Sequence, residues 1–171
     1  MSRSRTLTDL AVSTRPEDPG DAGAITRLHE RTFGPGRFAR SAFLLRERSP
    51  SDPALCFAAF VGTLLVGSVK VSPVLAGTEP ALVLGPLAVD PAFEGRGIGA
   101  ALMRKTLDVA AARGEGLVLL VGDAPYYARF GFKPIPPGQL AMPGPVDPAR
   151  FLARELVEGA LGRARGRIGA R

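Results

Sequence analysis

One cysteine, one histidine and no tryptophan in 171 residues close off several chemistries at once. Cys56 has no second thiol to pair with, which excludes an intrachain disulfide and a thiolate-rich metal site. A single imidazole, His29, excludes the usual histidine-cluster sites as well, so no structural metal is expected. No run approaches the ~18 to 20 consecutive apolar residues of a membrane span. The opening residues Met1 to Thr6 lack the apolar stretch of a secretory signal. The expectation is a soluble, cytoplasmic protein with no membrane partner.

What is present suits a single globular domain over residues 1–171, with 46% hydrophobic residues to fill a sizeable core. The net charge of +6 raises the question of a nucleic-acid partner, and its distribution bears on the answer. Residues 1–15 carry +2, residues 150–171 carry +4, and residues 16–149 balance at thirteen charges of each sign. The body of the domain is electrically neutral. The excess reads as solvated ends, with 1–9 and 160–171 expected to be flexible and basic, and nucleic acid is not the expected partner.

No repeat and no low-complexity linker divides the chain. Leu10 to Thr14 reads as a first strand, and Pro16 to Gly20 breaks it. Asp21 is placed to cap a helix running to about Thr32, with Ile25, Leu28, Thr32 and Phe33 at helical spacing. After Gly34-Pro35-Gly36 a second short helix is expected around Phe38 to Leu45. Ala54 to Val61 and Leu64 to Val74 then read as a hairpin turning at Gly62-Thr63. The nearly continuous apolar run Ala81 to Val89 has the pattern of a strand buried on both faces. A glycine-rich loop, a helix over about Gly97 to Arg113, a buried strand over Gly116 to Val121 and a short helix near Ala124 to Phe130 follow. The proline-rich remainder offers strands near Gln139 to Met142 and Phe151 to Val157. The sum is a mixed α/β sheet.

The most informative stretch runs from Leu84 through Leu87-Ala88-Val89 to Gly95-Arg96-Gly97-Ile98-Gly99-Ala100. A buried strand leads straight into three alternating glycines at a helix start. Glycine lets backbone N–H groups approach a ligand without a Cβ in the way, and a helix start adds unpaired donors and partial positive charge. A phosphate is the natural guest, with Arg96 adding a full charge at the rim. A nucleoside-triphosphate loop is excluded, because Gly99-Ala100-Ala101 lacks the closing Gly-Lys-Ser/Thr. Gly95-x-Gly97-x-x-Ala100 does satisfy the dinucleotide fingerprint, with Asp123 as ribose-binding acid. But the 48 residues after Asp123 are too few for the rest of a doubly wound fold.

The same stretch resembles the acetyl-coenzyme A motif of the GNAT superfamily of N-acetyltransferases, Gln/Arg-x-x-Gly-x-Gly/Ala after a strand ending in a Leu-Ala-Val-like triplet. Leu87-Ala88-Val89 matches the strand end and Gly97-Ile98-Gly99 the loop, while Glu94 stands at the usual Gln/Arg position. A carboxylate beside a pyrophosphate is repulsive, so Glu94 is expected to point away from it. A second segment, Gly122 to Phe132, resembles the GNAT segment in which a tyrosine precedes a Gly-Phe pair by four residues. Tyr127 matches the tyrosine and Gly131-Phe132 the pair. The resemblance spans about Leu10 to Val157. The pattern is also similar to a bacterial branch of predicted acetyltransferases of unassigned substrate.

The resemblance implies a mixed, mostly antiparallel central sheet flanked by helices and splayed at its two central strands. It implies transfer of an acetyl group from acetyl-CoA, the cosubstrate, to a primary amine of a small molecule or peptide, by direct attack in a ternary complex without a metal. Leu87, Ala88 and Val89 would pair with the pantetheine arm, and the Val89 N–H would polarise the thioester carbonyl. Gly95, Arg96, Gly97, Ile98, Gly99 and Ala100 would hold the pyrophosphate. Tyr127 would protonate the departing thiolate, a role that suits a phenol neutral at pH 7. Tyr126, about 100° further round a helix, is given at most a place in the acceptor pocket. Asp123 is read as a helix cap and Cys56 as core. No carboxylate lies between Ala81 and Val89, so the general base stays open between His29, Glu30, Glu79 and a water chain. The acceptor and a homodimer through the late strands are equally open. Two other classes remain, a non-catalytic acyl-CoA sensor and a dinucleotide-binding reductase.

Overall fold

The first strand, β1 (Val12–Pro16), is exposed along its length and closes on a proline. Proline has no N–H for a further ladder bond, so the strand belongs at a sheet edge, where it pairs antiparallel with β2 (Phe57–Val61). The computed structural model describes residues 11–34 and 49–171. The expected second helix around Phe38 to Leu45 and the basic end at 1–9 lie outside the described residues.

A turn at Pro19–Asp21 leads into α1 (Ala22–Phe33), which buries Ile25 and Leu28 and stops at Gly34 in a left-handed conformation, φ 65°. Asp21 does not cap that helix with its side chain. Its carboxylate accepts from the Asp18 N–H at 2.8 Å and from the Arg15 guanidinium at 2.7 and 2.8 Å.

The hairpin expected at Gly62-Thr63 joins β2 to β3 (Leu64–Ala76), and β4 (Glu79–Val89) returns antiparallel along β3. The helix α2 (Ile98–Ala112) then crosses to β5 (Leu117–Val121), which lies parallel to β4. After α3 (Ala124–Ala128) come β6 (Lys133–Pro134), β7 (Leu140–Ala141) and β8 (Phe151–Glu155). The sheet order is β1-β2-β3-β4-β5-β8-β6, and among the described residues only the β4–β5 and β7–β9 pairings are parallel. This is the mixed, mostly antiparallel sheet that the resemblance implied.

Residues 160–171 are not a flexible tail. They form α4 (Ala160–Arg163) and β9 (Gly166–Ala170), and β9 pairs with β3 through Val74↔Ala170, Leu75↔Gly169 and Ala76↔Ile168. The reason lies in β3, whose pairing with β2 stops at Val69 and leaves the edge beyond it open. An open edge is a row of unmet N–H and C=O groups, and β9 covers it. Ile168, Ala160 and Ala164 are buried there, and a Cβ on Gly77 would come within 1.9 Å of the Arg165 carbonyl oxygen. Two of the arginines that make this end basic are tied to carboxylates of the body, Arg163 to Glu79 at 3.2 Å and Arg171 to Glu115 at 3.0 Å.

The core splits by sheet face. Leu102, Met103 and Leu107 of α2 pack with Val69 and Leu84 on one face. On the other, Ile25 and Leu28 of α1 cover Leu65 and Ala88, and Phe151, Leu140 and Ile168 cover Leu117 and Leu119. Among the described residues no helix is long and apolar enough to cross a membrane.

Candidate active site

Two strands part at the centre of the sheet. β4 and β5 pair only at Leu82↔Val118 and Val83↔Leu119, after which β4 runs on to Val89 and β5 to Val121 without further pairing. On its other side β4 carries a bulge: Val69 faces Leu87 but Val71 faces Leu84, so Lys70 stands opposite two residues, Gly85 and Pro86. Past the bulge the ladder is regular, and the Asp90 N–H donates to the Val66 carbonyl at 2.8 Å. In an antiparallel ladder the bonded positions alternate. Ala88 therefore turns its backbone to β3, while the N–H and C=O of Leu87 and Val89 face the gap that β5 has left.

The gap ends at the glycine loop. Asp90 closes the strand by accepting from the Ala92 N–H at 2.9 Å and holding Arg31 of α1 at 3.0 Å. Gly95 and Gly97 take φ of 76° and 75°, and nothing lies within 4 Å of a Cβ placed on either. Gly97 sits at the N-terminus of α2 with no side-chain cap, and the first helical bond runs from the Ala101 N–H to the Gly97 carbonyl at 3.0 Å. The N–H groups of Ile98, Gly99 and Ala100 thus have no acceptor within the helix. The Ile98 side chain is buried against the core, with its Cγ2 2.9 Å from where a Cβ on Gly67 would stand. Its share of the site is backbone alone. Arg96 is exposed, its guanidinium 5.1 Å from the centre of the Phe93 ring, and Glu94 is exposed too.

The two tyrosines divide. The Tyr127 ring lies so close to Gly122 that a Cβ there would sit 2.3 Å from its Cε2, so only glycine admits the ring at the end of β5. Burial pushes the Tyr127 phenol up to about 12, against the smaller pull of Arg150, which leaves it neutral at pH 7. Tyr126 packs edge-on against it, ring centres 4.9 Å apart. The Tyr126 hydroxyl lies 3.1 Å from a Cβ placed on Gly99, beside Val89 and Leu87. Tyr126 thus stands over the start of α2. Asp123 precedes α3 without a side-chain capping bond.

A family model for the acetyltransferase (GNAT) family matches residues 23–132. The chain belongs to the GNAT acetyltransferase family. It is an N-acetyltransferase, the enzyme class that its two motifs implied. The uncharacterized N-acetyltransferase YhbS of Escherichia coli K12 is 31% identical over 156 residues, 90% of this chain and 93% of that protein. The crystal structure of Escherichia coli YhbS in complex with CoA superposes with a TM-score of 0.79 at 29% identity, covering 95% of this chain and 91% of that one. A GNAT family acetyltransferase from Brucella melitensis, solved with acetyl-CoA, gives a TM-score of 0.61 at 30% identity over 84% of this chain and 96% of that one.

Within the enzyme the dinucleotide alternative loses its footing, because among the described residues β4–α2–β5 is the one parallel crossover of the main sheet and β8 follows antiparallel. The donors that remain are open glycines and helix-start N–H groups, a set that suits a pyrophosphate. Cys56 is core, as expected: its Sγ accepts from the Val71 N–H at 3.3 Å, and burial raises the thiol to about 11. Glu79 is committed to Arg163 at the opposite end of β4, far from the gap. The His29 ring rests against Phe33 at 5.7 Å. Among the described residues no group of three or more His, Cys, Asp or Glu side chains is placed to hold a metal.

Sequence reasoning passed over a polar row on the α1 face of β3. Ser68, Lys70 and Ser72 alternate with Val69 and Val71, and Lys70 pairs with Glu17 from the loop after β1. The Ser68 and Ser72 hydroxyls are buried with no hydrogen-bond partner among the described residues. The period-2 alternation was the available signal.

Proposed function

We propose that the enzyme moves the acetyl group of acetyl-CoA to a primary amine by direct attack in a ternary complex, with Tyr127 as the acid facing the departing sulfur. The observation that carries this reading is the gap. The Leu87 and Val89 backbone groups face it, it opens where β5 stops pairing, and it ends on the uncapped start of α2. Acetyl-CoA is the cosubstrate. The N–H groups of Ile98, Gly99 and Ala100, with Arg96 at the rim, hold its pyrophosphate, and Leu87 and Val89 pair with the arm leading to the thioester.

The Val89 N–H stabilises the carbonyl oxygen as negative charge builds on it. The amine nitrogen bonds to the carbonyl carbon, the carbon–sulfur bond breaks, and the electron pair leaves with sulfur. Tyr127 donates to that sulfur, and the proton lost by the amine leaves through a base or water on the α1 face. A phenol held near 12 is a hydrogen-bond donor first and gives up its proton only as charge develops on sulfur. Positioning of the two reactants carries much of the rate gain, so the site needs no strong nucleophile of its own.

The acceptor is a small-molecule or peptide amine, with neither nucleic acid nor membrane as partner, in a cytoplasmic setting. Light scattering checks the accompanying expectation of a homodimer. A thermal-shift titration with acetyl-CoA, CoA and NADPH tests the reading, since a ligand of the native state raises its melting temperature. Both coenzyme A forms are expected to stabilise the protein, and an amine panel is then expected to yield turnover. Stabilisation by NADPH alone would sink the reading, and coenzyme binding without turnover of any amine would leave an acyl-CoA sensor.

A further inference from the structure

The chain between β6 and β8 builds a concave surface of its own. A hollow of about 250 Å³ is walled by Ile135, Leu140, Met142, Val146, Pro148 and Phe151, and none of its lining residues is charged. The sequence from Pro134 to Phe151 holds one carboxylate, Asp147, whose Oδ1 accepts from the Ala149 N–H at 2.9 Å. The side-chain amide of that stretch, Gln139, donates to the Leu161 and Ala164 carbonyls at 2.7 and 2.9 Å. Its polar end is thereby committed to α4.

The walls are fixed from two sides. The Ile135 N–H donates to the Phe151 carbonyl at 2.9 Å, and the Gly166 N–H donates to the Gln139 carbonyl at 2.9 Å. β7 pairs with β9 through Leu140↔Gly166 and Ala141↔Arg167. Pro136, Pro137, Pro143 and Pro148 each hold their own φ. A wall tied in this way has little freedom left to lose when a ligand fills it.

Position connects the hollow to the chemistry. Val121, the last residue of β5, borders the gap and is exposed. It pairs with Phe151, and residues directly opposite in a ladder carry their side chains on the same face. Leu119, two residues before Val121, packs in one cluster with Ile135, Leu140 and Phe151, which sets the hollow on the α1 face. Gap and hollow are therefore about one strand apart, ~4.8 Å, a span of roughly three to four bonds. An amine attacking from the α1 face has the hollow within reach of its carbon chain.

The lining decides what that chain is made of. A dry cavity of roughly 150 Å³ walled by leucine, isoleucine and phenylalanine takes up benzene. The larger volume here has room for a phenyl ring with its methylenes, or for a branched alkyl group. A second ammonium group would leave water for walls that offer it no carboxylate, at a cost nothing there offsets.

We infer that the acceptor is a primary amine with an uncharged aryl or branched alkyl group about two or three carbons from its nitrogen, and that the hollow seats that group. The inference rests on the acetyl-transfer reading above. Steady-state turnover by the full-length enzyme at saturating acetyl-CoA, with phenethylamine, isopentylamine, ethylamine and spermidine, tests it. The kcat/KM for phenethylamine and isopentylamine is expected to exceed that for ethylamine by at least about 100-fold, since one methylene in an apolar pocket is already worth roughly tenfold or more. Spermidine stays near ethylamine. Met142→Gln and Val146→Asp, at half-buried wall positions, each cut the preference by about tenfold through the KM of the apolar amine, with the CoA dissociation constant unchanged. Met142→Leu retains the preference. Leu64→Gln, a like loss of apolar surface at an exposed position, leaves it intact. Turnover of ethylamine or spermidine equal to or above that of the apolar amines overturns the proposal and leaves acetyl transfer standing. Acetylation of no amine ends both. A preference that survives Met142→Gln and Val146→Asp would place the apolar group elsewhere, and a dimer that either variant dissociates in light scattering would make the hollow an interface between copies. Either result overturns the proposal.

Discussion

The two faces of the sheet meet at the same pair of parted strands, yet they are built from different materials. On the α2 face the groups proposed to bind the coenzyme are main-chain: Leu87 and Val89 along the gap, then the helix-start N–H groups after Gly97. On the α1 face the polar groups are side chains gathered from distant segments, Glu17, Ser68, Lys70 and Ser72. The late chain adds an apolar hollow of about 250 Å³ walled by Ile135, Leu140, Met142, Val146 and Phe151. Under the proposed function the first face serves a cosubstrate common to a whole family, for which backbone suffices. The second would face the acceptor, and only side chains can make that choice particular.

The largest expected effect cuts at the boundary between the faces. Tyr127→Phe removes the donor to sulfur and keeps the ring that fills the space over Gly122. Turnover at saturating acetyl-CoA is expected to fall by about 10² to 10⁴, or ~3 to 5 kcal/mol of barrier, with the CoA dissociation constant unchanged. Unchanged turnover would move the acid role off Tyr127, and Tyr126→Phe would then be the variant to assay.

Next come truncations that weaken each face in the same way. Leu102 of α2 and Leu28 of α1 are both fully buried, and each Leu→Ala change is expected to cost about 2 to 5 kcal/mol in urea unfolding. The two should part in function. Leu102 helps seat the start of α2 on β3, where a Cβ on Gly67 would lie 3.0 Å from its Cδ1, so its loss should also weaken CoA binding. Loss of Leu28 should leave CoA binding intact. Equal effects on CoA would erase the distinction between the faces.

A smaller effect follows from the buried phenol. Its folded value, raised to about 12 chiefly by burial, means that the unfolded chain releases this proton near pH 10 while the folded chain keeps it. The stabilisation is therefore complete below pH 10 and is lost as pH rises toward 12, on the order of 2 kcal/mol. The Cys56 thiol, raised to about 11, acts with the same sign beginning about one pH unit lower. Urea unfolding between pH 8 and 12 should show the decline, and Tyr127→Phe should flatten its upper part while leaving the part due to Cys56.

The contrast between the faces also explains what the sequence disclosed. A backbone site needs glycines at fixed spacing next to a strand end, so Gly95, Gly97 and Gly99 are legible in the chain itself. Gly122 is legible in part, since the room it leaves for Tyr127 is a local matter. The α1-face row is not, because Glu17 and Lys70 meet only after β1 and β3 are set across β2. The position of Tyr126 is hidden for a related reason: helical geometry gives the angle between neighbours, but the packing of α3 on α2 decides which one stands over Gly99. The late chain failed on composition. Arginine-rich residues 160–171 looked solvated, and what overrode the charge was an open edge of β3 that no local pattern reveals.

The smallest predicted effect is also the most direct probe of the acceptor face. The Ser72 hydroxyl is buried opposite Val83 on β4 with no partner among the described residues. A buried hydroxyl left unmatched costs free energy, whereas a methyl in the same space does not. Ser72→Ala is therefore expected to stabilise the enzyme by about 1 kcal/mol, a rise of a few degrees in Tm. A ligand that accepted from or donated to this hydroxyl would offset that cost. The same variant should then raise the KM of the amine acceptor while leaving the KM of acetyl-CoA alone. A fall in Tm would show that the hydroxyl already has a partner in the folded chain, and the row on β3 would be structural rather than part of the acceptor surface.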